Sequence, residues 1–339
     1  PSQGRVWLSL INQLDHAGSK DRFVEVSDFD RMILNKHPWS FGSEEVTELK
    51  RRIEDACSRN VGDVVSEIGF GCVISEEEAF LISPRRLPAD YQTLFRPTAG
   101  GDAIRDWTVN STLDQVVFPY DENIKLRPEA AVSLALWPYR TLLSSRKDFG
   151  NKTYFEAGRP WWEYHQIPEE RNRTELAIAL AFVGTHNHFV LAKRGVVFGR
   201  TAPIIILPSG STEEDHLGLT SLLNSSVACF WLKRVLMDRG GGGIGGGLAT
   251  EPWERFYEHD GRKVMGFPLI KTPPVTTALQ IQEVARLYSD NQPSILLRRS
   301  SNDGKQLDLG QVLQKGRQDA EQLRQKMISL QEELDWECY

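Results

Sequence analysis

Between Gly158 and Ser226 the sequence sets flat aromatic faces, imidazoles, amide edges and guanidinium forks among strand-like runs. These are the groups that stack on nucleic-acid bases and read their edges. One cluster is Arg159, Trp161, Trp162 and His165, within Gly158-Arg159-Pro160-Trp161-Trp162-Glu163-Tyr164-His165. Arg159, held between a glycine and a proline, is expected to be exposed and to fork onto a guanine or a phosphate. The tryptophan pair either packs a core or offers a stacking platform. A second cluster is His186, Asn187 and His188. Alternation on a strand would turn both imidazoles to one side. Three readings follow: packing on a sheet, contact with DNA through Asn187 and a neighbouring histidine, or a metal site with His216 or His165 as third ligand. No carboxylate or thiol spacing supports the metal. The contiguous letters are not the nuclease motif of the same name, whose residues are spread over a hairpin and a helix. Lys193, Arg194, Arg200, Lys233, Arg234 and Arg239 are the densest local positive charge. They are the candidates for phosphate contact, with Arg194, Arg200, Lys233 and Arg234 expected on one face.

Several elements must position these groups. Arg5 to Ile11 and Phe23 to Val26 read as short strands. Val46, Leu49, Ile53 and Ala56 recur at helical spacing, which predicts an amphipathic helix over Glu44 to Cys57. Strands are expected over Gly69–Ser75, Ala79–Ser83 and Gln115–Phe118, and again over Phe182-Val183, His188–Ala192, Val196–Phe198 and Ile204–Leu207. Gly69-Phe70-Gly71 is too short for a dinucleotide fingerprint and marks a strand bend. Arg127 to Leu143 is a helix that Pro138 kinks or ends. Asp215 to Met237 carries a long helical pattern, begun by a capping box of Thr212 and Asp215. That pattern absorbs Asn224-Ser225-Ser226 as helix packing. Gly240 to Gly247, with seven glycines in eight residues, is too costly in backbone entropy for a regular element. It is expected to be a mobile loop, either a passive linker or a segment that closes on a DNA backbone. Helices are expected over Thr276–Tyr288 and Leu309–Tyr339, the last packing on something outside this sequence.

Composition bounds the class. The 339 residues are 40% hydrophobic and 25% charged, ordinary for a globular protein able to bury a core. The net charge is −6, which argues against a nucleic-acid binder whose whole surface is basic. Any DNA contact must then come from segregated cations. Cys57, Cys72, Cys229 and Cys338 show no paired spacing, so reduced cytoplasmic thiols fit better than a disulfide framework or a zinc site. No run of 18 apolar residues exists in the sequence, hence no membrane partner. Pro1-Ser2-Gln3-Gly4 carries neither an initiator methionine nor a signal-peptide pattern and reads as a cut inside a longer polypeptide.

The run Gly158 to His165, followed by Thr185-His186-Asn187-His188-Phe189-Val190 and Leu222-Leu223-Asn224-Ser225-Ser226, resembles the target-recognition region of large single-chain DNA adenine methyltransferases. These are the phage-exclusion (BREX) enzymes and the fused restriction–modification enzymes with TaqI-type specificity domains. The resemblance extends over the whole chain through short motifs in order. His37-Pro38-Trp39-Ser40 with Glu48-Leu49-Lys50 is similar to the segment leaving the methyltransferase core. Ile68 to Ile74 with Ala79 to Ile82 is similar to the first hairpin of the recognition domain. Arg96-Pro97, Gly100 to Trp107, and Phe118-Pro119-Tyr120 match the next signature. Leu330 to Glu337 is similar to a helix that continues past Tyr339.

The resemblance implies an α/β fold of short mixed strands with crossing helices. Residues 1–57 would be the core's tail and connecting helix, 58–285 the recognition domain and 286–339 a helical segment. It implies duplex DNA as partner, together with the methyltransferase half of the same polypeptide. Other defence-system subunits or a phage-encoded DNA mimic are the alternative partners. S-adenosylmethionine is the cofactor expected of the full enzyme, and none of this chain. An adenine-N6 methyltransferase needs Asn or Asp before Pro-Pro and an aromatic to hold a flipped base. Thr272-Pro273-Pro274-Val275 lacks both, and Asp28-Phe29-Asp30 lacks the glycine of an acidic-x-Phe-x-Gly cofactor loop. No catalytic residue is therefore expected here.

Overall fold

A computed structural model describes residues 4–28, 31–35, 44–83, 88–105, 107–109, 114–239, 255–302 and 309–339. The glycine run 240–247, expected as a loop, the His37-Pro38-Trp39-Ser40 motif, Phe29 and Asp30 lie outside the described residues. The chain divides into two compact units, Pro1–Ser58 and Arg59–Tyr339.

In the first unit, α1 (Arg5–Gln13) is a helix where a strand was expected. Residues 5–11 alone cannot distinguish a buried strand from a helix, but Trp7, Leu10, Ile11 and Leu14 together complete a 3.6-residue stripe. Asp21 ties the segment together: it accepts from Ser9 Oγ of α1 and from the backbone N–H of Phe23 and Val24. Of the expected strand at 23–26 only a bridge, Lys20 to Glu25, is formed. The expected helix forms as α2 (Glu44–Asp55), laced by Glu48 with Arg51 and Arg52 and by Lys50 with Glu54.

The second unit has an α/β architecture built on a four-stranded antiparallel sheet. Its strands are β1 (Glu67–Phe70), β4 (Leu176–Leu180), β6 (Phe189–Lys193) and β8 (Pro203–Ile206), in the order β1-β8-β4-β6. Helix α5 (Glu213–Leu223) packs on β4 and β6. Leu217 and Leu223 of that helix and Ile178, Leu180, Phe189 and Ile205 of the strands are fully buried. The capping box of Thr212 and Asp215 is formed as expected. A second, three-stranded sheet places β2 (Phe95–Ala99) between β7 (Val197–Phe198), parallel to it, and β3 (Asp114–Val117), antiparallel. Beneath it Phe80, Phe118, Tyr120 and Tyr164 interlock, with ring centroids 5.2 Å apart for Phe80–Tyr164 and 6.0 Å for Phe118–Tyr164. A third small sheet pairs β5 (Val183–Gly184) with β10 (Tyr257–Glu258) and that with β9 (Met237–Asp238).

Three expectations are corrected here. The hairpin of Ile68–Ile74 with Ala79–Ile82 does not form. Strand β1 pairs instead with β8, Val73 bridges to Gln166, and Glu77–Phe80 is one helical turn. The long helix over 215–237 is two helices, α5 and α6 (Ser226–Val235), because Ser225 caps a new start by accepting from the Ala228 N–H. The last helix, α9 (Leu309–Cys338), packs within this chain, on α7 (Val275–Asp290) and α8 (Pro293–Asn302). The Arg127–Leu143 helix breaks at Pro138: α3 (Glu129–Leu136) ends before a tight turn containing it, and α4 (Arg140–Ser144) follows. Among the described residues no helix is long and apolar enough to cross a membrane.

Candidate nucleic-acid interface

A cleft of about 500 Å³ opens where the loop between β5 and β6 meets the α5–α6 break and the inner faces of α7 and α9. His186, Asn187, His188, Asn224, Ser226, Tyr288 and Trp107 line it, with Gln331 and Arg324 from α9. The fold builds this wall by two reciprocal amides. Asn224 donates from Nδ2 to the Phe189 carbonyl at 2.7 Å and accepts the Phe189 N–H at 2.9 Å. Asn187 donates from Nδ2 to the carbonyls of Leu223 and Ser225. Each asparagine thus satisfies backbone groups that the other's segment leaves unpaired. The amide nitrogen of Asn187 is committed to holding the loop.

His186 and His188 lie in the loop before β6 rather than on a strand, yet their rings are 5.4 Å apart. Burial is the largest cause that pulls His188 down to about 4, helped by Arg105, His186 and His259. His259, buried behind it, is lowered by burial to about 4 as well. Both are neutral at pH 7, so they offer hydrogen bonds rather than charge. The other ligands considered for a metal are remote in contacts. The Nδ1 of His216 pairs with the Thr212 carbonyl at the start of α5, and His165 pairs with the Tyr154 hydroxyl.

The two tryptophans pack in the core beneath the three-stranded sheet, with Phe80, Phe118 and Tyr164. Trp161 is buried and gives its Nε1–H to Glu129 at 3.0 Å; Trp162 packs against the core and gives its Nε1–H to the Arg127 carbonyl at 2.9 Å. His165 accepts or donates at Nδ1 with the Tyr154 hydroxyl at 3.0 Å and lies against Phe149. Arg159 is not the exposed fork expected: its side chain is 27% exposed, paired with Glu163 and laid over the Tyr154 ring at 4.2 Å. One residue that sequence patterns did not flag organises the segment. Arg146, buried, donates to the carbonyls of Leu143, Ile74, Trp161 and Glu163.

The cations are dispersed. Lys193 and Arg194 leave the far end of β6, where the register pairs Leu176 with Lys193; Lys193 faces Glu213, and Arg194 faces Glu175 and the Glu122 carbonyl. Arg200 is exposed at the opposite end, ahead of Pro203 on β8. Lys233 lies over Tyr257 at 5.6 Å, Arg234 over Phe230 at 5.7 Å, and Arg239 pairs with Glu258. Arg194 and Arg200 therefore do not share one cluster.

The cleft's remaining wall joins distant motifs. Trp107, in the left-handed region with φ 66°, donates from Nε1 to Gln331 Oε1 at 3.2 Å. Gln331 in turn donates to the Asn224 carbonyl, and Asp335 accepts from the Ser226 N–H and hydroxyl. These residues were visible only as parts of the quoted signatures at 100–107 and 330–337. Among the described residues no group of three His, Cys, Asp or Glu is placed to hold a metal.

No family model matches this sequence. Over its whole length the chain is similar to an adenine-specific methyltransferase. That relative, PglX of Streptomyces coelicolor, is 36% identical over 349 residues, covering 99% of this chain and 28% of the relative. The chain thus spans little more than a quarter of that protein's length. Two solved structures align loosely. They are the type IIL restriction-modification enzyme MmeI in complex with DNA (TM-score 0.41, 13% identity, 80% of this chain and 34% of that one) and the type IIG restriction endonuclease BpuSI (TM-score 0.42, 11% identity, 87% and 33%).

Proposed function

We propose that this chain recognises duplex DNA and positions a target adenine for S-adenosylmethionine-dependent N6 methylation by a methyltransferase segment outside it, in phage defence or restriction–modification. The observation that carries this is the 36% identity to an adenine-specific methyltransferase across 99% of the chain. The missing Pro-Pro-aromatic motif supports a recognition role rather than a catalytic one. The paired glycines do not fit a cofactor. A Cβ on Gly69 would meet the Arg171 guanidinium at 2.5 Å, and one on Gly71 would meet the Phe198 carbonyl at 2.6 Å. Those close approaches are filled by protein, and S-adenosylmethionine belongs to the rest of the enzyme. On this reading residues 58–285 are the recognition domain, 286–339 buttress the cleft, and the protein works in the cytoplasm.

Within that reading the cleft is where a base edge or a groove wall would lodge. His186 and neutral His188 supply hydrogen bonds there, and Trp107 and Tyr288 supply apolar faces. A second reading, docking of another defence-system subunit or a phage DNA mimic, is favoured by one observation. Lys193, Arg194 and Arg239 each already face a carboxylate. Fluorescence anisotropy with labelled duplexes over a salt series separates the two. Recognition of DNA gives an affinity that falls linearly with the logarithm of salt; absence of duplex binding at low salt would leave the docking reading.

A further inference from the structure

Arg96 stands at the centre of the three-stranded sheet, opposite Val116. Its guanidinium lies 3.9 Å over the buried ring of Phe118. The side chain is half-buried, and among the described residues it has no hydrogen bond and no carboxylate partner. Its neighbours are otherwise. Arg171 forks onto Glu67 and the Phe70 carbonyl, Lys193 faces Glu213, and Arg194 faces Glu175. Arg127 gives its Nε–H to the Tyr120 carbonyl. Arg96, Arg171, Lys193 and Arg194 line one pocket with Asn172 and the turn at Gly195.

An arginine stays protonated, so this charge cannot be relieved by losing a proton. Burial disfavours the charged guanidinium of Arg96, and Arg194 and Arg127 add repulsion that exposed Glu122 only partly offsets. None of its nitrogens is sealed from solvent, so its donors open into the pocket, where an acceptor can reach them. The stack on Phe118 holds the guanidinium plane fixed, leaving its edge donors for an oxyanion. The pocket holds about 30 Å³. That is room for one or two oxygen atoms and too little for a base.

We infer that Arg96 floors a seat for a single phosphate-class oxyanion, and that the phosphate is one from the backbone of bound DNA. The second half of this statement rests on the DNA-recognition reading; the first half does not. The seat lies beside Lys193 and Arg194, so a phosphate there would also meet their charge. It would fix register along a duplex without reading sequence.

The test uses the whole 339-residue chain with inorganic phosphate as probe. Thermal unfolding is followed against phosphate, with chloride matched for ionic strength, for the wild type, Arg96→Gln and Arg96→Lys. Arg96→Lys controls for folding and keeps charge without the fork. The expected result is a saturable rise in melting temperature for the wild type, absent in Arg96→Gln and partial in Arg96→Lys. Equal responses in wild type and Arg96→Gln, or none in either, would overturn the seat. The DNA half is read from the salt slope of duplex binding, which should fall by about one unit in Arg96→Gln. An unchanged slope with phosphate binding lost would refute the DNA half and keep the seat for a free phosphate. A wild type that binds phosphate through Arg96 yet binds no duplex would sink the DNA reading itself.

Discussion

The indole Nε1 of Trp107 donates to the side-chain oxygen of Gln331, joining two residues 224 positions apart in the chain. Trp107 holds a backbone conformation unfavourable for a bulky residue, and Gln331 relays the contact to the Asn224 carbonyl at 3.2 Å. One polar chain thus links the loop after Arg105, helix α9 and the α5–α6 break, and fixes the back of the cleft.

Cutting this chain should show coupling. Gln331→Leu and Trp107→Phe are each expected to destabilise by about 1–2 kcal/mol. Together they should cost less than their sum by about 0.5 kcal/mol or more, as contacting pairs do. Urea unfolding of the two single variants and the double variant measures it. Strict additivity would mean that the two side chains act independently.

The reciprocal amide at Asn224 should matter more. Asn224→Ala removes the side-chain partner of both the backbone N–H and the carbonyl of Phe189, with an expected cost of about 2–3 kcal/mol. Hydrogen exchange at the Phe189 amide should accelerate together with the loss. Protection retained at that amide would place its hydrogen bond elsewhere.

Much of this was legible in the chain, and the reasons for the rest are physical. Thr212 and Asp215 announce a helix start because a capping box is local chemistry, and the strands at 189–193 and 203–206 follow from β-branched and apolar runs. The break at Asn224-Ser225 was hidden because apolar residues keep helical spacing across it, while the cap acts through one serine hydroxyl. Residues 5–11 fit a strand as well as a helix because so short and mostly apolar a run suits both periods. The cations looked like one cluster because sequence proximity says nothing about the two ends of a sheet. Arg146 was overlooked for the opposite reason: an isolated arginine reads as surface, and only the tertiary fold brings four carbonyls around it.

That buried guanidinium gives a severe prediction. Arg146→Met would leave the carbonyls of Leu143, Ile74, Trp161 and Glu163 without their donor, at a cost above about 3 kcal/mol. The Gly158–His165 segment should lose order first. Limited proteolysis and thermal unfolding test this; a variant as stable as wild type would contradict the role assigned to Arg146.

Acid should destabilise the cleft through its histidines. His188 and His259 sit at about 4 in the folded state, below the usual value near 6.5. Above that usual value both states are neutral and stability is complete. As pH falls towards 4 the unfolded chain takes up protons that the folded chain refuses. Stability is therefore lost over that window, by up to about 3 kcal/mol per histidine. His188→Gln should flatten the fall relative to wild type. A melting temperature that is level between pH 7 and 4.5 would contradict the burial of these neutral rings.

The most direct measurement of the central claim is selection of this chain on a pool of randomised duplexes, followed by affinity of the enriched and scrambled sequences at fixed salt. DNA recognition predicts enrichment of a defined motif containing an adenine, bound well above the scrambled control, with specificity weakened when His186 is changed to Ala. A chain that retains no duplex, or retains all sequences equally, would contradict it.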